Sequence, residues 1–216
     1  MKILGTLLLL SASVLMAQTV TYEVSITNIT RSQIFSPPVV IAHHRNWHLF
    51  ELGAPATGAL ATMAEDGDAE PLRDDALAHE LVDSAVIGEE MVMPGETLTI
   101  QIEAHPYTDS LSVAAMLVTT NDAFFAVDGA RAPFARFKQG GAYERVFADA
   151  YDAGSEENTE NCEHIPGPPC MNMGVRVTEN AEGYVYVHSG IHGNGDVSSE
   201  YDWRSSVALV EIRLIR

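Results

Sequence analysis

The sequence predicts an all-β fold, an antiparallel β-sandwich of eight to nine strands with one or two short helices in an early connection. Three observations predict it. Several segments alternate strictly between apolar and polar residues, turn residues separate them at short intervals, and helical spacing is confined to one stretch between residues 57 and 82.

Residues 20–27 open the pattern as Val-Thr-Tyr-Glu-Val-Ser-Ile-Thr, the period-two signature of a strand with one buried face. Residues 97–103 repeat it after a Pro94-Gly95 turn. Residues 111–118 are nearly all apolar, as expected for a central strand covered on both faces. Residues 184–188 alternate again, and 206–215 close the chain with a long strand pattern. Shorter strand patterns fall at 39–42, 86–93, 143–147 and 175–177. Residues 57–65 and 71–82 are rich in Ala and Leu at helical spacing, interrupted by Asp66-Gly67-Asp68, so two short helices are expected there. No internal repeat or linker divides the chain, which predicts one domain over residues 18–216.

The chain carries 30 Asp plus Glu against 12 Lys plus Arg, a formal net charge of -18 over 216 residues. That charge repels phosphate backbones and anionic lipid surfaces, so nucleic acid is excluded as a partner and cations are favoured. Lys2, the apolar run 3–10 and the small residues leading to Ala17 read as a signal peptide over residues 1–17. The expected location is therefore secreted or periplasmic, without a transmembrane anchor. In an oxidising compartment Cys162 and Cys170, flanking a Pro- and Gly-rich loop, are expected to form a disulfide.

Two acidic elements stand out as chemistry. Asp122 lies in Asn121-Asp122-Ala123-Phe124-Phe125, between an apolar run and two phenylalanines, where an ionised carboxylate is costly unless paired. Asp152 and Glu156 lie in a Gly154-containing turn that can fold their oxygens toward one point. No Lys or Arg occurs between Asp122 and Arg131. Asp122, Asp152 and Glu156 are thus the candidate ligands of a calcium ion, a hard cation that takes several oxygens. The competing reading has Asp122 capping a turn and 152–155 forming an ordinary loop.

The ordered set of motifs resembles the spondin domain family. It runs from Tyr22-Glu23-Val24-Ser25-Ile26-Thr27-Asn28 and Gln33-Ile34-Phe35-Ser36-Pro37-Pro38 through Leu49-Phe50-Glu51-Leu52-Gly53 and Ala64-Glu65-Asp66-Gly67-Asp68. It continues through the Asp122 and Asp152 segments to Tyr201-Asp202-Trp203-Arg204, covering residues 20–215. The resemblance implies a calcium-carrying β-sandwich and places the ligands at Asp122, Asp152 and Glu156. Asn121, Ala123 and Glu156 depart from the family's Pro, Trp and Asp at those positions. It also implies a non-catalytic adhesion or interaction module, whose partner would be an unidentified extracellular protein or surface ligand.

Histidines supply an alternative. His43, His44 and His48 share one segment, and His188 and His192 another. Three imidazoles and a water would make a zinc or copper site of a secreted metal-dependent hydrolase. Against it, Ser189-Gly190 reads as a turn, which removes the one-face helical geometry of a ligand pair, and no Glu adjoins His188 or His192 as a base. A structural His188, hydrogen-bonded across the sheet, is the other reading of that segment.

Overall fold

The computed structural model describes residues 19–133 and 143–215, and the expected signal peptide at residues 1–17 lies outside them. The described elements are β1 (Val20–Asn28), β2 (Val39–His43), α1 (Gly58–Asp66), α2 (Glu70–Leu77), β3 (Val82–Ile87), β4 (Thr97–Ala104), β5 (Ser110–Met116), β6 (Ala123–Arg131), β7 (Tyr143–Asp152), β8 (Tyr186–Val187) and β9 (Ala208–Leu214). Every strand pairing is antiparallel. The strands run in the order β3-β2-β5-β6-β7-β9-β1-β4, with β8 added alongside β7.

The expected all-β class with early helices is what the chain adopts, and its two facing layers are parts of one sheet. β7 joins them: Tyr143 to Ala148 pair with β9, whereas Asp149 to Asp152 pair with β6. The ends of the path, β3 and β4, meet through the Ser84 hydroxyl, which donates to the Glu103 carbonyl at 2.6 Å. The sheet is therefore nearly closed, which removes most of its exposed edge.

Alternation decides what fills the interior. In β1, Tyr22, Val24 and Ile26 point inward, and they meet Ile100 and Ile102 of β4, Val113 of β5, Phe125 of β6 and Ile212 of β9. A second apolar layer lies outside β2, β5 and β6, where α1 and α2 bring Leu60, Met63, Leu72 and Ala76 against Val39, Ile41, Ala114 and Phe124. This second layer explains why β2 and β5 are buried along their whole lengths and read as continuous apolar runs.

α1 starts where the Thr57 hydroxyl accepts the Leu60 N–H at 3.1 Å, and it stops at Gly67, whose φ of 71° suits a left-handed cap. α2 begins with Asp68 accepting the Glu70 N–H and Pro71 in its first turn. Helical spacing over 71–82 overran its end: the helix stops at Leu77, and Val82 already opens β3. Consequently β3 is Val82–Ile87 rather than 86–93, whose remainder is a turn pinned by a Phe35–Val92 bridge. Residues 175–177 form no strand, because Val177 spends its N–H on a side chain rather than on a ladder. β6 lacked an alternating signature, since helices cover its outer face as the core covers its inner one. Among the described residues no helix is long and apolar enough to cross a membrane.

Candidate functional site

Consecutive phenylalanines locate the site. Phe124 points out to the helical layer and Phe125 into the core, as successive residues of a strand must. Both are fully buried, which anchors the start of β6, and Asp122 sits one residue before it. The turn ahead is tied by the Thr120 hydroxyl, which donates to the Leu117 carbonyl at 2.6 Å and accepts the Ala123 N–H at 3.0 Å. Across the ladder Ala123 is paired with Asp152, and the Ala153 N–H donates to the Asp122 carbonyl at 3.2 Å. Sheet register thus brings two acids 30 positions apart in sequence to one junction.

Both are at 0% exposure. Asp122 Oδ2 accepts the Ser155 N–H at 2.7 Å, the Ser155 hydroxyl at 3.1 Å and the Glu156 N–H at 3.0 Å. Asp122 Oδ1 is buried and, among the described residues, has no hydrogen-bond partner. Asp152 Oδ1 accepts the Gly154 N–H at 2.7 Å, and Oδ2 accepts the Asn158 amide at 2.6 Å. Gly154 is required here, with φ 66° and a position where a Cβ would sit 2.2 Å from the Tyr184 carbonyl oxygen.

Electrostatics at the junction is unfavourable to two negative charges. Burial, and then repulsion from Asp152, push the Asp122 carboxyl up to about 8, against the partial offset of its N–H donors. Burial likewise raises Asp152. Among the described residues neither acid is ion-paired with Lys or Arg; Asp152 Oδ2 lies 3.7 Å from His188 Nε2.

Glu156 behaves differently from the expectation that its carboxylate would join the other two. Its N–H serves Asp122, while its Oε1 accepts the Val177 N–H at 3.0 Å. Burial and the neighbouring Glu65 push it up to about 7, and Arg176 counteracts this. Arg176 is the sole Lys or Arg between Arg145 and Arg204, and it pairs with Glu65 at 2.7 Å and with Asp66. Glu65 Oε2 is buried without a hydrogen bond, so that contact is an ion pair lacking donor alignment. Among the described residues, no three His, Cys, Asp or Glu side chains form a group able to hold a metal.

The histidines are dispersed in separate roles. His43 is buried, with Nδ1 at 2.9 Å from the His44 carbonyl and Nε2 at 2.8 Å from the Ser112 hydroxyl. His44 lies 3.9 Å from Asp109, His48 lies 2.8 Å from Asp128, and His192 lies 3.8 Å from Glu160. For His188 the neighbours fix the tautomer. Nδ1 accepts the Gly190 N–H at 2.9 Å, so Nε2 carries the proton and donates to Asn158 Oδ1 at 3.2 Å. Burial lowers its pKa to about 4, which keeps it neutral, with both nitrogens engaged. Asn158 completes the chain by donating to Asp152 and to the Tyr186 hydroxyl at 3.0 Å, which in turn donates to Glu182 at 3.0 Å.

Asn158, Tyr186 and Arg176 belong to this site and were not singled out from the sequence. Asn158 ends the acidic segment that carries Asp152, and Arg176 is conspicuous as an isolated base, but nothing local says what either touches. The Cys162–Cys170 disulfide is formed, with Cα atoms 4.7 Å apart. Its loop lies on the segment preceding Asp122: the Thr119 hydroxyl donates to the Pro168 carbonyl at 2.9 Å, and a Cβ at Gly167 would meet the Val118 carbonyl oxygen at 2.3 Å.

The donors suit a hard cation in kind. Among the described residues Asp122 Oδ1 accepts no hydrogen bond, Asp152 is close enough to repel it, and the Ser155 hydroxyl lies against Asp122 Oδ2. Two carboxylates fit such an ion; Glu156, held by Val177, is not presented with them. Comparison of the sequence with family models and with characterised proteins gives no match to either.

Proposed function

We propose that this chain is a non-catalytic, spondin-like interaction module, exported to an oxidising compartment and stabilised by a calcium ion between Asp122 and Asp152. One observation carries the reading. Two adjacent carboxylates are fully buried, and among the described residues one of their oxygens has no hydrogen-bond partner. Hydrogen bonds to Asp122 Oδ2 and to Asp152 offset only part of the cost of burying two negative charges together, and a divalent cation would remove the remainder. The ion ties β6 to the 152–158 turn, so its role is to hold the loops at this end of the sheet. The disulfide supports export because such bonds persist in oxidising compartments.

Thermal unfolding tests it. Extracellular calcium modules bind with dissociation constants of roughly 0.1–1 mM. Calcium at ten times that value stabilises by about 1.4 kcal/mol, which for a chain of this size raises Tm by about 3–5 °C. Superimposable melting curves in chelator and in millimolar calcium would sink the proposal. The histidine-centred hydrolase has no comparable support, since its five histidines are engaged separately and His188 has both nitrogens occupied.

A further inference from the structure

His188 also lines a cavity of about 590 Å³ that Asp152 does not line. Its lining includes Asp149, His188, Ser189, Asp202, Trp203 and Arg204. Trp203 is half-buried against the core, with its ring centroid 5.1 Å from that of His188 and the planes tilted by 43°. Asp202 is held by the loop it faces, its Oδ1 accepting the Ile191 N–H at 3.1 Å, and Gly190 leaves it room, since a Cβ there would lie 2.3 Å from that oxygen. Asp149 is held from the other side by the Ser206 hydroxyl at 2.7 Å. The cavity therefore has an indole beside two oriented carboxylates, each fixed by main chain or a neighbour.

That combination selects a ligand class. Anions are repelled by Asp149, Asp202 and the net charge of -18. Wholly apolar ligands would strip water from both carboxylates without replacing it. A positively charged organic group would meet an indole and carboxylates together, the residue types that recognise ammonium ions. The chain supplies its own stand-in. The Arg204 side chain, 91% exposed, places Nε 3.1 Å from Asp202 Oδ2 at the cavity wall. A cation is thus already accommodated there, on a side chain that solvent can replace at little cost.

We propose that this cavity binds an organic ammonium group, as carried by a basic ligand or a lysine-bearing partner, with Trp203, Asp149 and Asp202 as its recognition elements and Arg204 as an internal competitor. The cavity shares His188 with the surroundings of Asp152, but its recognition elements are not the proposed calcium ligands, and it is tested with chelator present so that failure of either leaves the other standing.

The chain has two tryptophans, Trp47 and Trp203. In Trp47→Phe, Trp203 fluorescence is titrated with choline and with 3,3-dimethyl-1-butanol, its neutral isostere. Choline is expected to change the emission saturably and to bind about tenfold tighter than the alcohol. Asp149→Asn should weaken choline binding several-fold, and Arg204→Gln should strengthen it several-fold. Should Trp47→Phe fail to fold, the Trp203 indole N–H resonance of the unaltered protein reports the same titration. Equal affinity for the two probes, weaker binding in Arg204→Gln, or response only to a neutral sugar such as glucose overturns the proposal.

Discussion

Asp122 and Asp152 share one antiparallel junction: the Asp122 carbonyl accepts the Ala153 N–H at 3.2 Å, while Ala123 is the ladder partner of Asp152. Both side chains are consequently buried at that junction, and among the described residues neither is ion-paired with Lys or Arg. Much of the protein's expected behaviour follows from that placement.

Acidification should stabilise the calcium-free protein between pH 8 and 6.5. The folded Asp122 carboxyl is raised to about 8 against an ordinary unfolded value near 4, so the folded state binds more protons in this window. Its contribution is fully present below the unfolded pKa and is lost as pH rises through the folded one. Each pH unit changes stability by at most about 1.4 kcal/mol for this group. Below pH 6.5 the depressed His188 acts in the opposite sense, because the unfolded imidazole then takes up the proton first. Chemical denaturation at pH 6.5, 7.25 and 8 in chelator measures the slope; stability that rises with pH across this window contradicts the placement.

Asp122→Asn should change sign with the metal. In chelator at pH 8 it removes a buried charge while keeping an oxygen for the Ser155 and Glu156 N–H groups, so stability should rise by about 1–3 kcal/mol. In millimolar calcium the variant should lose the stabilisation that the unaltered protein gains. Paired melting curves of the two proteins in both buffers decide this, and a variant still responding to calcium excludes Asp122 as a ligand.

Arg176→Ala should destabilise by about 2–3 kcal/mol, a figure reduced from the usual cost of breaking a buried pair because the arginine is 44% exposed. It strands Glu65 buried beside Glu156. Adding Glu65→Gln should recover most of the loss, and a double variant no better than the single one refutes the coupling. Glu156, raised to about 7 with Arg176 present, should titrate higher in the variant, because the base that lowers it is gone.

Gly154→Ala should be more damaging than an ordinary loop substitution, by about 2–4 kcal/mol. It combines a left-handed backbone with a contact against Tyr184 that must move. Since Gly154 also donates to Asp152, the calcium response should weaken together with stability. Equilibrium denaturation of this variant, with Gly183→Ala as a comparison at another positive φ but in open space, separates strain from crowding.

Much of the architecture was legible because alternation is a local property. Val20 to Thr27 and Thr97 to Glu103 each declare a buried face without reference to the other, and they do pair, Thr27 opposite Thr97. β6 was not legible as a strand: covered on both faces it carries no period, and Asp128-Gly129 cuts short the apolar run that revealed β5. The acids were legible as residue types: Asp122 follows an apolar run, and burial is what raises its pKa.

By itself the sequence determined the all-β class, the early helices, the disulfide and one acid, Asp122, whose charge burial would make costly. Those follow from side-chain polarity, spacing and chain chemistry, which act over a few residues. The tertiary structure decided which acid sits with which. β6–β7 register put Asp152 next to Asp122, whereas the Val177 N–H, 21 positions beyond Glu156, holds that carboxylate on the side of Glu65. Charges interact through space, so their partners are set by how strands align rather than by their order along the chain.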